Sequence, residues 1–338
     1  MVTFRRGLDH LRKLVPRPTE PEAEKSFTTY KNYLVHIERG LGGTFGVGAS
    51  FVPSLVADVR SRQKFMSISR RALTPSQGIE VERGLRIGWA KELQLRIPGA
   101  FDTQLLPFLI HGSAIHSYYV VFHAARALFA AANQTVASTH ATTLSTLSSW
   151  TSTRGLFPAP WSVRCIGGPE RAQMQVLGKP ACARSSGAVH PLSTPSPATV
   201  WDSLDMLMCT TRARQVDERK KQWREKNSKL MVPRAEAAKI SANLPATTLF
   251  NVLYRLRKRS DYSDADAFLD GIPTEEAAEQ YHNSMQVLVH GTLTVFETLI
   301  VAHVGLDVYQ KVAGRFLAVA TGPGSDALAE RRAVIAGP

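Results

Sequence analysis

His116, Tyr119, His123 and Arg126 recur at steps of three and four within Ser113 to Ala132, an otherwise apolar stretch. A helix there carries all four on one face. Imidazole, phenol and guanidinium are the groups that transfer protons and bind anions. A second concentration of such groups follows at Leu253 to Tyr262, where Arg255, Arg257, Lys258, Arg259, Asp261 and Tyr262 crowd one helix end. A buried polar group left unpaired costs about 1–3 kcal/mol, so a polar stripe on an apolar helix needs partners. Arg255, Arg257, Asp261 and Tyr262 are the partners the sequence offers. Two arrangements are open. One is a structural network, with His123 a hydrogen-bonded core histidine and Arg126–Asp261 an ion pair that fixes helix register. The other is an active cleft.

The elements that position these groups are helical. Pro107 to Ala132 makes the long one. Leu249, Val252, Leu253 and Leu256 form an i, i+3, i+4, i+7 core stripe, with Arg255, Lys258, Arg259 and Tyr262 opposite. Arg257 and Asp261 stand one turn apart on the flank, spaced to pair. Further helical patterns cover Phe27 to Arg39, part of Phe51 to Leu73, Ile79 to Arg96, Thr139 to Trp150 and Trp201 to Lys229. A last one starts at Pro273, with Glu275, Glu276 and Glu279 complementing its positive end. Its core positions are Tyr281, Met285, Leu288, Val295, Phe296 and Leu299. No strand pair stands out. The expected fold is all-α, an antiparallel four- to five-helix bundle over residues 81–305. A Pro/Gly/Ser-rich insertion at 151–200 interrupts it; Phe157, Trp161 and Pro158 to Pro160 are expected to pack down, and Gly178 to Pro197 to be mobile. Residues 1–80 read as an N-terminal extension of unassigned role, and 306–338 as a weakly helical tail.

Composition narrows the partners. The chain has 41 basic and 28 acidic residues, a formal charge of +13 that attracts polyanions. Arg212 to Arg234 holds nine basic residues, Arg219, Lys220 and Lys221 among them, against three acidic ones. That run is either a solvated helix face or a phosphate-contacting arm. Cys165, Cys182 and Cys209 match no zinc spacing and suit a reducing cytosol, so no metal and no cofactor is expected. The first twenty residues show no secretory h-region, and the apolar stretch from Pro107 carries His111, His116, His123 and Arg126, which favours a buried core helix over a membrane span. The reading is a cytoplasmic protein with no membrane partner. The glycines from Gly40 to Gly48 lack the Gly-Lys-Ser/Thr ending of a P-loop and read as a flexible turn.

Tyr118-Tyr-Val-Val-Phe-His-Ala-Ala-Arg-Ala-Leu-Phe129 resembles an early helix of the HEPN superfamily, the nucleotide-binding helical domains of prokaryotes and higher eukaryotes. A later His of that subgroup is matched by His140, and its Leu-Arg-x-x-Ala-Asp-Tyr segment by Leu256-Arg-Lys-Arg-Ser-Asp-Tyr262. The resemblance covers about 80–150 and 200–304. It implies a helical bundle that dimerises around a shared basic cleft. Many members are metal-independent endoribonucleases of toxin–antitoxin or anti-phage systems, some controlled by nucleotidylation of a Tyr in this region. Their signature is an Arg and a His separated by four to six intervening residues, the imidazole serving as acid/base and the guanidinium stabilising phosphate charge. Here Arg257 is followed five positions on by Tyr262 rather than His. Arg5 to His10 and Arg184 to His190 match the spacing, but outside the resembling segments.

Carried onto this chain, the resemblance gives Arg257, Tyr262, Asp261 and His123 as catalytic candidates. Arg126, Arg255, Lys258, Arg259, Arg219, Lys220 and Lys221 are the nucleic-acid-binding candidates. The expected partners are RNA or a nucleotide, a second copy of the chain, and a nucleotidyltransferase or other antitoxin. The competing expectation is a non-catalytic dimerisation or partner-docking module.

Overall fold

The computed structural model describes residues 21–97, 106–136, 139–153, 155–168, 173–175, 200–260, 268–320 and 324–337. In chain order the helices are α1 (Pro21–Phe45), α2 (Phe51–Ser61), α3 (Gln63–Met66), α4 (Pro75–Arg96), α5 (Leu106–Leu109), α6 (His111–Ala131) and α7 (His140–Thr153). There follow α8 (Val200–Asn227), α9 (Arg234–Asn243), α10 (Leu249–Lys258), α11 (Glu275–Val304), α12 (Leu306–Leu317) and α13 (Ser325–Ala336). The class is all-α, and the described helices outnumber the expected four or five. A 3-10 turn at Gly48–Ser50 and the strands β1 (Arg164–Ile166), β2 (Gln173–Gln175) and β3 (Thr247–Thr248) are the other regular elements among the described residues. The strands form one antiparallel sheet of order β2-β1-β3, with Arg164 opposite both Gln175 and Thr248. Strands this short show no alternating pattern, which is why none was expected from the sequence.

Local chemistry sets the helix starts. Thr74 and Gln77 form a capping box, each side chain taking the other's backbone N–H, and Pro75 occupies the first turn of α4. Thr274 accepts from the Ala277 N–H at 3.1 Å and opens α11. Thr248 and Asn251 make a second box at α10, with the Thr248 N–H 2.8 Å from Asn251 Oδ1.

The core centres on α6 and α11. Every core position expected on α11 is at most 1% exposed, as are Leu249, Val252, Leu253 and Leu256 on α10. α11 is the one described helix long and apolar enough to cross a membrane, yet 72% of its apolar window is buried, so its apolar character serves the core. The closest helix pair is α4 against α6. A Cβ on Gly84 would stand 2.7 Å from the His123 carbonyl oxygen and 2.9 Å from Ala127 Cβ, so only glycine fits this approach.

Two segments differ from expectation, and the start of the insertion packs down as expected. α1 runs past Arg39 through Gly40 to Gly43 and lays Phe27, Tyr30, Leu34, Ile37 and Leu41 into the common core. The turn after it, with Gly46 and Gly48 at positive φ, bends the chain by 68° into α2. In the insertion, Phe157 and Trp161 are fully buried, and the Trp161 indole donates to Thr292 Oγ1 at 2.8 Å. The expectation for Gly178 to Pro197 lies outside the described residues. At the C-terminal end, α12 and α13 are well-formed helices, and Arg331 of α13 reaches the interior with no exposed surface.

Candidate functional site

His116, Tyr119, His123 and Arg126 lie on one face of α6, as their spacing requires, and each is half-buried. Their neighbours Ser117, Tyr118, Val120, Val121, Ala124 and Ala125 are buried. The stripe is therefore the floor of an open groove rather than a sealed polar seam. α4 forms one wall: Arg126 Nη2 lies 3.3 Å from Glu80 Oε2. α10 forms the other: Arg257 Nη2 donates to the Tyr119 hydroxyl at 3.3 Å, its guanidinium 5.6 Å over the Tyr119 ring.

His140, at the start of α7, completes the floor. Its ring is 4.5 Å from that of Phe122, 5.5 Å from Tyr118, 5.9 Å from Tyr119 and 6.1 Å from Tyr254. The Tyr118 hydroxyl is 2.8 Å from His140 Nδ1. His123 stacks on the opposite part of this cluster, its ring centre 6.2 Å from that of Tyr119.

Electrostatics hold the imidazoles neutral. Burial, then the charges of Arg126, Lys91 and Arg83, push His123 down to about 4. Burial and Arg257 lower His140, and burial with Lys91 and His111 lowers His116. At neutral pH the groove thus presents neutral rings beside Arg83, Lys91, Arg126 and Arg257, with Glu80 as a counter-charge. Glu80, Arg83 and Lys91 were missed in the sequence. Their signal is the i, i+3, i+11 spacing that puts them on one face of α4.

The other basic residues of α10 point elsewhere. Arg255 Nη1 donates to Thr211 Oγ1 at 3.0 Å and Thr210 Oγ1 at 3.2 Å, and both Arg255 and Arg259 lie over the Tyr30 ring of α1. Lys258 pairs with Glu218 at 3.2 Å. With Arg214, Gln215 and Tyr254 they border a second depression of about 330 Å³ between α8 and α10.

Arg219, Lys220 and Lys221 sit beyond Val216, the last buried residue of α8, on an outer half that projects from the body. Arg212, counted with that basic run in the sequence, is 1% exposed and donates to the carbonyls of Gly167, Ser241, Leu244 and Pro245. It ties α8 to α9 and the insertion and does not face solvent.

Asp261 and Tyr262 lie outside the described residues, as do Arg5, His10, Cys182, Arg184 and His190. Cys165 and Cys209 are buried with their sulfurs 3.6 Å apart. Among the described residues, no three His, Cys, Asp or Glu side chains converge to hold a metal ion.

No family model, curated protein or solved structure matches this chain. Arg257 offers a cation oriented by a phenol and set beside neutral imidazoles. Such an arrangement can bind a phosphate and exchange a proton next to it.

Proposed function

We propose that the chain is a HEPN-like RNA- or nucleotide-binding protein of a toxin–antitoxin or anti-phage module, working in the cytoplasm. In this reading it is a metal-independent endoribonuclease whose site is the α6–α10 groove. The observation that carries the reading is Arg257 lying across Tyr119 beside His123 and His140. Arg257 contacts the scissile phosphate, and Arg126, with Arg83 and Lys91, extends the cationic track along α4. Arg255, Lys258 and Arg259 form a second track towards α8, and Arg219, Lys220 and Lys221 meet the polyanion further out. Asp261 and Tyr262 follow this helix end in the chain and belong to the same site in this reading. A second copy of the chain and a nucleotidyltransferase-type antitoxin are the protein partners it implies.

One observation favours the non-catalytic alternative. Leu230 and Met231, between α8 and α9, are 94% and 82% exposed, an apolar tip suited to a protein contact.

Labelled tRNA and mRNA incubated without metal, beside Arg257→Ala and Tyr262→Phe, separate the two. The enzymatic reading expects cleavage by the wild type and a loss of about 10²–10³-fold in Arg257→Ala, the usual scale for removing one charge-stabilising donor. RNA left intact by all three proteins contradicts it and selects the docking module.

A further inference from the structure

Arg257 has no histidine within the following seven residues of its own segment. The fold places one against it from another helix. We propose that His140 is the proton-transfer residue that works with Arg257, a pair assembled across α7 and α10 instead of within one helix. The inference rests on the ribonuclease reading above.

Three observations lead to it. First, the two groups share neighbours: Arg257 stands over Tyr119, whose ring is 5.9 Å from His140, and Tyr254, one turn before Arg257, stacks at 6.1 Å on the imidazole. Second, the imidazole is oriented. Tyr118, 1% exposed, holds Nδ1 at 2.8 Å, and Phe122 packs at 4.5 Å, so Nε2 is the nitrogen left for chemistry. This is the nucleophile–base–orienter logic of acid/base sites, with a phenol as the orienter. Third, Arg257 is the cation whose charge acts on His140, whereas those acting on His123 are Arg126, Lys91 and Arg83 of the far wall. Of the two histidines, His140 is the one coupled to the phosphate-binding arginine.

The groups facing His140 are Tyr118, Tyr119, Phe122 and His123 from α6 and Tyr254 and Arg257 from α10. Burial and Arg257 keep the imidazole neutral at neutral pH. In the tautomer with Nδ1–H donating to the Tyr118 oxygen, Nε2 presents a lone pair. It takes the proton of a ribose 2′-hydroxyl as the O2′–P bond forms. The P–O5′ bond breaks, and the 5′-oxygen leaves with a proton from solvent. Arg257 neutralises the non-bridging oxygens. The products are a 2′,3′-cyclic phosphate and a 5′-hydroxyl, and the imidazolium returns its proton to solvent.

The test is cleavage of labelled RNA between pH 5 and 9 by the wild type, His140→Gln, His123→Gln and Tyr118→Phe. His140→Gln is expected to lose about 10²–10⁴ in kcat, the usual contribution of a general base, with RNA affinity unchanged and the acid limb of the profile gone. His123→Gln keeps that limb. Tyr118→Phe is expected to lower kcat and shift the limb, because it removes the hydrogen bond that orients the imidazole; a merely structural tyrosine would leave the limb in place. Should His140→Gln fail to fold, the wild-type His140 NMR titration decides. A non-cleavable 2′-deoxy oligonucleotide should raise its pKa, and the rise should vanish in Arg257→Ala. Cleavage by His140→Gln with a wild-type acid limb, or a titration indifferent to the oligonucleotide, overturns the pairing alone. Intact RNA with the wild type overturns the ribonuclease reading and the pairing with it.

Discussion

The guanidinium of Arg331 is clamped between the carboxylates of Glu92 and Glu297, with Nη2 2.7 Å from Glu92 Oε2 and 3.1 Å from Glu297 Oε1. All three side chains are at most 2% exposed, and Trp89 and Tyr309 donate to the same Glu297 at 2.8 and 2.6 Å. Arg96 adds a second cation to Glu92 at 3.1 Å. The cluster fastens α13 to α4 and α11. Removing one partner of a buried pair costs about 3–5 kcal/mol because the other charge is left without compensation. Arg331→Ala is expected to lower unfolding stability on that scale. A loss below about 1 kcal/mol in denaturant unfolding contradicts the role given to the cluster.

The α4–α6 approach makes a paired prediction. At Gly84 a methyl group meets a backbone carbonyl and Ala127, neither of which can yield, whereas at Gly88 its nearest contact is the Val120 carbonyl at 3.5 Å. Gly84→Ala should destabilise by about 1–3 kcal/mol through overpacking. Gly88→Ala should be neutral or stabilising, since alanine gains up to about 1 kcal/mol over glycine in a helix. Equal melting temperatures for the two variants would count against the close approach.

The histidines set a pH dependence. Burial holds both His123 and His282 at about 4, below the ordinary imidazole value. Between about 4 and about 6.5 the unfolded chain therefore binds more protons than the folded one, and stability rises with pH through that window. Melting temperature should climb from pH 4 to 6.5, more steeply in the wild type than in His282→Gln. Parallel curves for the two proteins would remove His282 from the effect.

Glu80 is the acidic member of the groove wall and holds Arg126 at 3.3 Å across two half-buried side chains. Pairs of this exposure contribute at most about 1 kcal/mol. Glu80→Gln should leave folding nearly intact and tighten RNA binding by a few-fold at ~0.1 M salt, because it removes a charge that repels the polyanion. Weaker binding in this variant would place the polyanion elsewhere.

The sequence was most legible where a single period dominates. Leu249, Val252, Leu253 and Leu256 announce a core face, and the same arithmetic puts His116, Tyr119, His123 and Arg126 in one stripe. It does not say whether the stripe is sealed or open, because that depends on how far α4 and α10 stand apart. The pattern also fails where the buried group is charged. Arg212 was counted with a solvated face or phosphate-contacting arm and Arg331 was not singled out, and only tertiary carboxylates or carbonyls make their burial tolerable. The pairing of Arg126 with Asp261 falls on residues outside those described, and a partner the sequence did not suggest, Glu80, reaches Arg126 from a helix about 45 residues upstream. His140 was singled out in the sequence only through a resemblance, and its approach to Tyr118 and Tyr254 is a property of the fold.

The central claim is that the α6–α10 groove binds RNA through Arg257. The direct test is the affinity for a single-stranded RNA measured against salt concentration in the wild type and in Arg257→Ala. A polyanion held by several phosphate contacts gives a steep slope of log K against log salt, about 0.7 per contact for single strands. The account predicts that steep dependence, with weaker binding in Arg257→Ala and a slope shallower by about one contact. Binding that ignores salt, or an Arg257→Ala curve that superimposes on the wild type, would contradict it.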